Sequence, residues 1–275
     1  MNLDEVGHWT EVKLSILDEY TTAYSSILSK QGNIRHFAYI DGFAGSGYHV
    51  SRSSGAVIEG SPARALKHGF SHCHLVDLDG QKTEMLRGLA EGRDDVTVYT
   101  GDCSEVLLGQ VFPQCRYEDY RRALCLLDPY DLNPRWEVVQ TAGQMRSIEL
   151  FVNFMIMDAN MNVLRRKGPD AATQRQADRM NAFWGDSSWR EAAYRTTPTL
   201  FGDATEKSFN AEIATAYRKR LLSVAGFKYS PEPLAMLNTK GAVIYYLFFA
   251  SHNATGAKIA KSIFEKYRKK GESCG

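Results

Sequence analysis

The chain has no Cys-x-x-Cys pair, no Gly-x-x-x-x-Gly-Lys phosphate loop and no apolar run longer than about nine residues, near Ala242–Ala250. Each absence excludes something. The five cysteines (Cys73, Cys103, Cys115, Cys125 and Cys274) are odd in number and unpaired in spacing, which argues against a disulfide framework or a structural zinc site. The run His72-Cys73-His74 does not rescue a metal reading. On a strand the two histidines share one face and the cysteine takes the other, so no metal is expected. Without the phosphate loop, nucleotide hydrolysis is not expected. A nine-residue apolar run is far short of the ~20 residues that span a bilayer, and the start, "MNLDEVGHWT", lacks the basic and apolar blocks of a secretory signal. The expectation is a soluble, cytoplasmic protein with no membrane partner. Charge of one sign is also scarce: the net charge of +1 over 275 residues excludes a uniformly basic nucleic-acid binder.

What the sequence does have is alternation. Apolar residues recur at helical spacing from Thr10 to about Ser29 and predict a leading helix. "HFAYIDGF" then reads as a strand. "SPARALKHG" reads as a helix start, with Ser61 as N-cap and Pro62 in first position. "CHLVDLD", "DVTVYTGDC", "RALCLLDPYDL" and "SIELFVNFMIM" read as further strands, with "GQKTEMLRGLAE" a helix between the first two of these. Strands alternating with helices predict a doubly wound α/β fold with a mostly parallel sheet. Near the end, "PLAMLNTKGAVIYYLFFAS" predicts a hairpin turning at "NTKG". An antiparallel hairpin closing a parallel sheet suits a class I methyltransferase better than a dehydrogenase. The expected division is a Rossmann-like domain over 1–157 and 223–275. Residues 158–222 form a mainly helical insertion for substrate or partner recognition.

Charge is uneven within this frame. Residues 161–190 hold Arg165, Arg166, Lys167, Arg175, Arg179 and Arg190 against three aspartates, among the aromatics Phe183, Trp184 and Trp189. The last helix carries a further lysine-rich face. Basic patches with aromatics fit a nucleic-acid partner, although many such faces are only solvated.

The chemistry-bearing pattern begins at "YIDGFAGSGYHV", where Gly42, Gly45 and Gly47 follow Asp41. Glycines let the backbone turn sharply and approach a ligand without a Cβ clash, and here they are not spaced as a dinucleotide turn. An acid at the head of such a loop suits the cationic amino-acid end of S-adenosylmethionine. Asp77, or Asp79, ends the second strand, where ribose hydroxyls bind in doubly wound folds. Asp102 follows the third and would sit near an adenine amino group. Asp41, Asp77, Asp102 and Asp128 are separated by roughly 25 to 36 residues, close to the ~30-residue β-α-β step. That register sets all four along one carboxyl edge of the sheet, where open α/β folds bind ligands.

"LLDPYDL" ends the fourth strand. Asp128 can accept a hydrogen bond from an amino group, a carbonyl of the turn stiffened by Pro129 can accept another, and Tyr130 can stack on a planar base. Asp128, Pro129 and Tyr130 are therefore the candidate catalytic residues.

Taken together, "DGFAGSG", "GSPARAL", "LVDLD", "GDC", "LLDPYDL" and "IYYLFFASHNATGAKIAKSI" resemble the three-Cys-motif partner protein family, over about residues 9–160 and 205–268. That family is methyltransferase-like and is associated with a radical-enzyme-like partner bearing three cysteines. More distantly, the order of motifs is similar to ribosomal RNA adenine-N6 methyltransferases. The resemblance implies that Lys13 lies near the cofactor carboxylate. It sets Asp41, Gly42, Phe43, Gly45 and Ser61 around the methionine end, Asp77 at the ribose, and Asp102 with Cys103 at the adenine. Asp128 would be the catalytic acceptor. One departure stands out: adenine-N6 enzymes of this kind have two prolines before the aromatic, and this chain has one.

Three readings follow. The first is an S-adenosylmethionine-dependent N-methyltransferase acting on an RNA or DNA base. The second keeps the enzyme with a peptide or small-molecule substrate. The third is a non-catalytic cofactor-binding partner of the three-cysteine protein.

Overall fold

The computed structural model describes residues 3–199 and 202–272; Cys274 lies outside them. The chain opens with a short strand β1 (Glu5–Val6), helix α1 (His8–Leu28) and strand β2 (His36–Asp41). Two short strands, β3 (Tyr48–Ser51) and β4 (Val57–Glu59), precede α2 (Ser61–Ala65), β5 (His72–Asp77), α3 (Gly80–Leu89) and β6 (Val96–Thr100). Helix α4 (Cys103–Val106) runs on through a π-helical turn at Leu107–Val111 into β7 (Arg121–Leu127), α5 (Trp136–Met145), β8 (Ile148–Phe154) and α6 (Ile156–Asn162). Then come α7 (Gln174–Trp184), α8 (Trp189–Ala193), the strands β9 (Tyr194–Thr199) and β10 (Gly202–Lys207), and α9 (Asn210–Ser223). Strands β11 (Leu234–Leu237) and β12 (Val243–Ala250) lead to the last helix, α10 (Ala254–Glu272).

Seven strands form one sheet in the order β11-β12-β8-β7-β2-β5-β6. β2, β5, β6, β7 and β8 are mutually parallel, and β12 is antiparallel to both of its neighbours. This is the expected parallel sheet closed by an antiparallel hairpin. The turn forms as "NTKG" predicts: the Asn238 side-chain oxygen accepts from the backbone N–H groups of Lys240 and Ala242.

Both faces of the sheet are covered, so its strands alternate between two cores rather than between core and water. In β7, Ala123, Cys125 and Leu127 pack with α4, α5 and α9. Leu124 and Leu126 face α1, α2 and α10. Full burial of a Leu or Phe side chain contributes about 1.5–3 kcal/mol, which is why the apolar runs "LCLL" and "FVNF" lie mid-sheet.

Two expectations are corrected. Ser61 is the first residue of α2 and Gly60 is its cap, because the Ser61 hydroxyl is turned to Asp41. The aromatics of the insertion are not available for stacking on bases. Phe183, Trp184 and Trp189 are buried with Tyr217 in the same core as Phe154 of β8 and Phe248 of β12. Their large apolar area outweighs the charge of their neighbours in sequence. The insertion is thus welded to the sheet, and besides its helices it carries the β9–β10 hairpin.

Candidate functional site

The sheet order reverses direction between β2 and β7, because the chain moves from β2 outward to β5 on one side and later returns to β7 on the other. A crevice forms at the carboxyl ends of strands at such a switch point. Asp41 ends β2, Asp77 ends β5, Asp102 lies just past β6, and Asp128 follows β7. The four carboxylates do line one edge.

The glycine loop is shaped by its surroundings. Gly42 donates its N–H to Leu126 O (2.9 Å), and Ala44 donates to Val76 O (2.9 Å), so the loop is stitched to both flanking strands. A Cβ at Gly42 would lie 2.7 Å from the Cys103 sulfur and 2.9 Å from Leu127 Cδ2. Gly45 and Gly47 adopt φ of 64° and 85°, a region that side chains resist.

Asp41 is wholly buried. Its oxygens accept from the Tyr39 hydroxyl (3.1 Å) and the Phe43 N–H (3.2 Å), and from Ser61. No cation pairs with it among the described residues. Burial above all, with repulsion from Asp128, pushes its pKa from 3.8 up to about 6, against these hydrogen bonds. A buried carboxyl with neutral partners alone is a place for a cation to arrive.

Asp77 has a supporting role: one oxygen accepts the Gly45 N–H (2.8 Å) and the other the Asp79 N–H (2.9 Å). Its remaining lone pairs stay free for hydroxyl donors. Asp79 is the N-cap of α3, accepting from Gln81 and Lys82. Asp102 caps α4 through the Glu105 N–H and keeps a half-exposed side chain near Arg135. Cys103, expected at the adenine, has a side chain that packs into the core. It is buried under Gly42, and burial holds its thiol pKa well above the ordinary value.

Asp128 is held on both sides. Lys13 of α1 pairs with one of its oxygens, and the side-chain N–H of Asn153 on β8 donates to the other. Lys13 is buried and its ammonium lies 5.7 Å from the centre of the Tyr245 ring. Its partner here is the catalytic candidate itself, not open space for a carboxylate. Pro129 is buried and Tyr130 is 71% exposed.

Four contributors were not legible from motifs. Asn153 is wholly buried and its Oδ1 has no partner, and the buried Tyr245 hydroxyl has none either. His49 hangs over the site on β3, with a buried Nδ1 that finds no partner. Burial depresses its pKa, with Lys13, Asp4, Asp128 and Lys82 all acting on it. Asp4 bridges the site's mouth, accepting from Lys82 (2.7 Å) and from the Tyr130 hydroxyl (3.0 Å). The segment is anchored because β1 pairs with β3, making a small three-stranded sheet above the crevice.

No metal cluster is found among the described residues, and no helix among them is long and apolar enough to cross a membrane.

The strand order with its antiparallel seventh strand, and a glycine loop at the switch point, define a Rossmann-like fold of the class I methyltransferase type. No family model matches the chain, and no curated relative does. The resemblance to three-Cys-motif partner proteins therefore rests on its motifs. Solved structures match along most of their length. The Legionella pneumophila protein LPL1258, of the DUF519 family model, is 11% identical with a TM-score of 0.49, over 92% of this chain and 91% of that one. A Leishmania major SAM-dependent methyltransferase of the DUF858 family is 10% identical with a TM-score of 0.38, over 86% of this chain and 72% of that one.

The donor set fits S-adenosylmethionine. Asp41 offers a buried carboxyl lacking a cation, Asn153 Oδ1 is an orphaned buried acceptor, and Asp77 keeps free lone pairs beside the glycine loop.

Proposed function

We propose that the protein is an S-adenosylmethionine-dependent methyltransferase that modifies an amino group, and that its substrate is a base in RNA or DNA. The single observation that carries the reading is Asp41: a fully buried carboxyl at the head of the glycine loop, without a counter-cation among the described residues. Asp41, with the loop Gly42–Phe43–Gly45 and Ser61, would hold the amino-acid end of the cofactor, and Asp77 its ribose. Asp102 would reach the adenine edge. When bound, the cofactor supplies an activated methyl group.

Asp128 acts on the other partner. Fixed by Lys13 and Asn153, its carboxylate can accept an N–H of the incoming amino group and so aim the nitrogen lone pair at the crevice. The ring of Tyr130, exposed beside it, offers a stacking face for a planar base. Support for a nucleic-acid substrate comes from Arg165, Arg166 and Lys167. All three are exposed in the segment that leaves the carboxyl end of β8 through α6, on the same side as the crevice. The buried aromatics of the insertion add nothing to it.

A second reading has its own observation. Both oxygens of Asp128 are already engaged by protein donors, which suits a cofactor-binding partner of a three-cysteine protein that performs no transfer. A methyl-transfer assay with labelled cofactor against total RNA, DNA and peptide pools separates the readings. The proposal expects label in nucleic acid, lost at high salt as phosphate contacts are screened. Label in peptides alone overturns the substrate, and no label in any pool, with cofactor still bound, favours the partner reading.

A further inference from the structure

The opposite edge of the sheet holds a cavity of about 500 Å³ that the methyltransferase reading does not use. Its walls come from the far end of α1, the starts of β7 and β8, the segment after α9 and the entry to α10. The volume is in the range of small-molecule sites, ~300–1,000 Å³.

Three cations surround it: Arg122, Arg146 and Lys228. Arg122 is partly occupied, stacked 3.9 Å from the Tyr117 ring centre and hydrogen-bonded to the Arg121 carbonyl. Arg146 and Lys228 have no hydrogen bond or ion pair among the described residues, and the side chains of both are exposed. Both act on His252, and together with its burial they depress its pKa. Arg146 sits in the left-handed region, φ 61°, where α5 ends.

The interior is polar and incompletely satisfied. Tyr24 and Ser147 line the cavity, each more than nine-tenths buried. Neither hydroxyl has a hydrogen-bond partner among the described residues, an arrangement that costs about 1–3 kcal/mol per group when nothing else fills it. Glu149, also on the wall, is not a competing anion for the rim. Its carboxylate is turned inward to the Tyr20 and Ser251 hydroxyls, and burial raises its pKa.

Two cations without partners, a third beside them and two orphan hydroxyls make a donor-rich cradle. We propose that this cavity binds a small phosphate monoester, its phosphate between Arg146 and Lys228 and the remainder of the molecule against Tyr117 and Tyr229. Phosphate suits the donors because a dianion with three free oxygens can take charged and hydroxyl donors at once. The volume exceeds what inorganic phosphate needs, so the ester carries a group of nucleoside size. The site lies on the far side of the sheet from the cofactor crevice: Glu149 and Asn153 are four positions apart on β8, roughly 13 Å.

The test is calorimetric titration of the full chain at low ionic strength with uridine monophosphate, uridine and inorganic phosphate. A pyrimidine probe avoids the adenine end of the cofactor crevice. The expected result is binding of the nucleotide, weaker binding of phosphate and none of uridine. Arg146→Gln or Lys228→Gln weakens binding roughly tenfold each, and the pair roughly a hundredfold. These substitutions leave thermal stability and S-adenosylmethionine binding unchanged. Because both positions are at the rim, misfolding is not expected, and Ser147→Ala gives a charge-neutral check with a smaller loss. No binding of either phosphate compound overturns the proposal. So does uridine binding as tightly as the nucleotide, or affinity indifferent to the double substitution.

Discussion

The two edges of the main sheet are built from the same pieces and treat charge in opposite ways. Helix α1 serves both: Lys13 reaches Asp128 at the carboxyl edge, and Tyr20, two turns later, reaches Glu149 at the amino edge. Strand β8 also serves both, through Asn153 and Glu149. At the carboxyl edge the cation is buried and paired, and the acid left over, Asp41, has no counter-cation among the described residues. At the amino edge the acid is held by hydroxyls, and the cations left over, Arg146 and Lys228, have no anion among the described residues. One edge is therefore fitted to receive positive charge and the other negative. A single rigid scaffold can do this because one strand presents different side chains at its two ends at a fixed spacing.

The largest effect on that comparison comes from Gly143, on the amino-edge side of α5. Its would-be Cβ lies 2.1 Å from the Ala225 carbonyl oxygen, a backbone atom that cannot swing aside. Gly143→Ala should lower stability by about 3 kcal/mol or more, read as a fall in denaturant midpoint at constant slope. An unchanged midpoint would mean the α5 to Ala225 packing is looser than described.

At the carboxyl edge, Asp128→Asn keeps the shape and removes the charge that Lys13 holds. Methyl transfer should fall by about a hundredfold or more, with cofactor affinity preserved. Activity unaffected by this change would break the assignment of Asp128. Gly42→Ala is next. The new methyl group meets the Cys103 sulfur and Leu127, for a loss of about 1–3 kcal/mol. Adding Cys103→Ala should restore part of it, since the sulfur is the nearer obstacle.

Acidity sharpens the comparison further. Asp41 has a folded pKa raised to about 6 from 3.8. Its contribution to folding stability is therefore greatest below pH 3.8 and is lost as pH rises through 6. Binding of a cation needs the ionised form, so cofactor affinity should be flat above about pH 6 and fall up to ~tenfold per unit below it. Calorimetry in buffers of different ionisation enthalpy would detect proton release on binding near pH 6. The smallest effect belongs to Glu149→Gln. The amide keeps an oxygen that can accept from the Tyr20 or Ser251 hydroxyl, so stability at pH 7 should change by about 1 kcal/mol.

Much of this was legible in the sequence, for local reasons. Apolar runs and spaced acids read as strands ending at one edge because the β-α-β step has a fixed length, and "NTKG" read as a turn because Asn238 caps it. Failures arose where meaning is tertiary. Asn153 sits inside the apolar run "FVNFM" and looked like strand interior, since its partner Asp128 lies just past the end of the neighbouring strand. Lys13 and Asp128 are 115 residues apart. Phe183, Trp184 and Trp189 looked like a nucleic-acid face because sequence shows charge adjacency and not burial. The strands β3 and β4 are too short to show a period. The amino-edge cavity gathers residues from five separate segments, none with a motif.

The central claim is tested most directly by titrating the full chain with S-adenosylmethionine in a calorimeter, beside the Asp41→Ala variant and a thermal melt of each. The account predicts saturable binding of one cofactor per chain at pH 7, lost or severely weakened in Asp41→Ala while that variant still melts cooperatively. Absence of saturable binding by the unaltered protein, or full affinity in the variant, would contradict it.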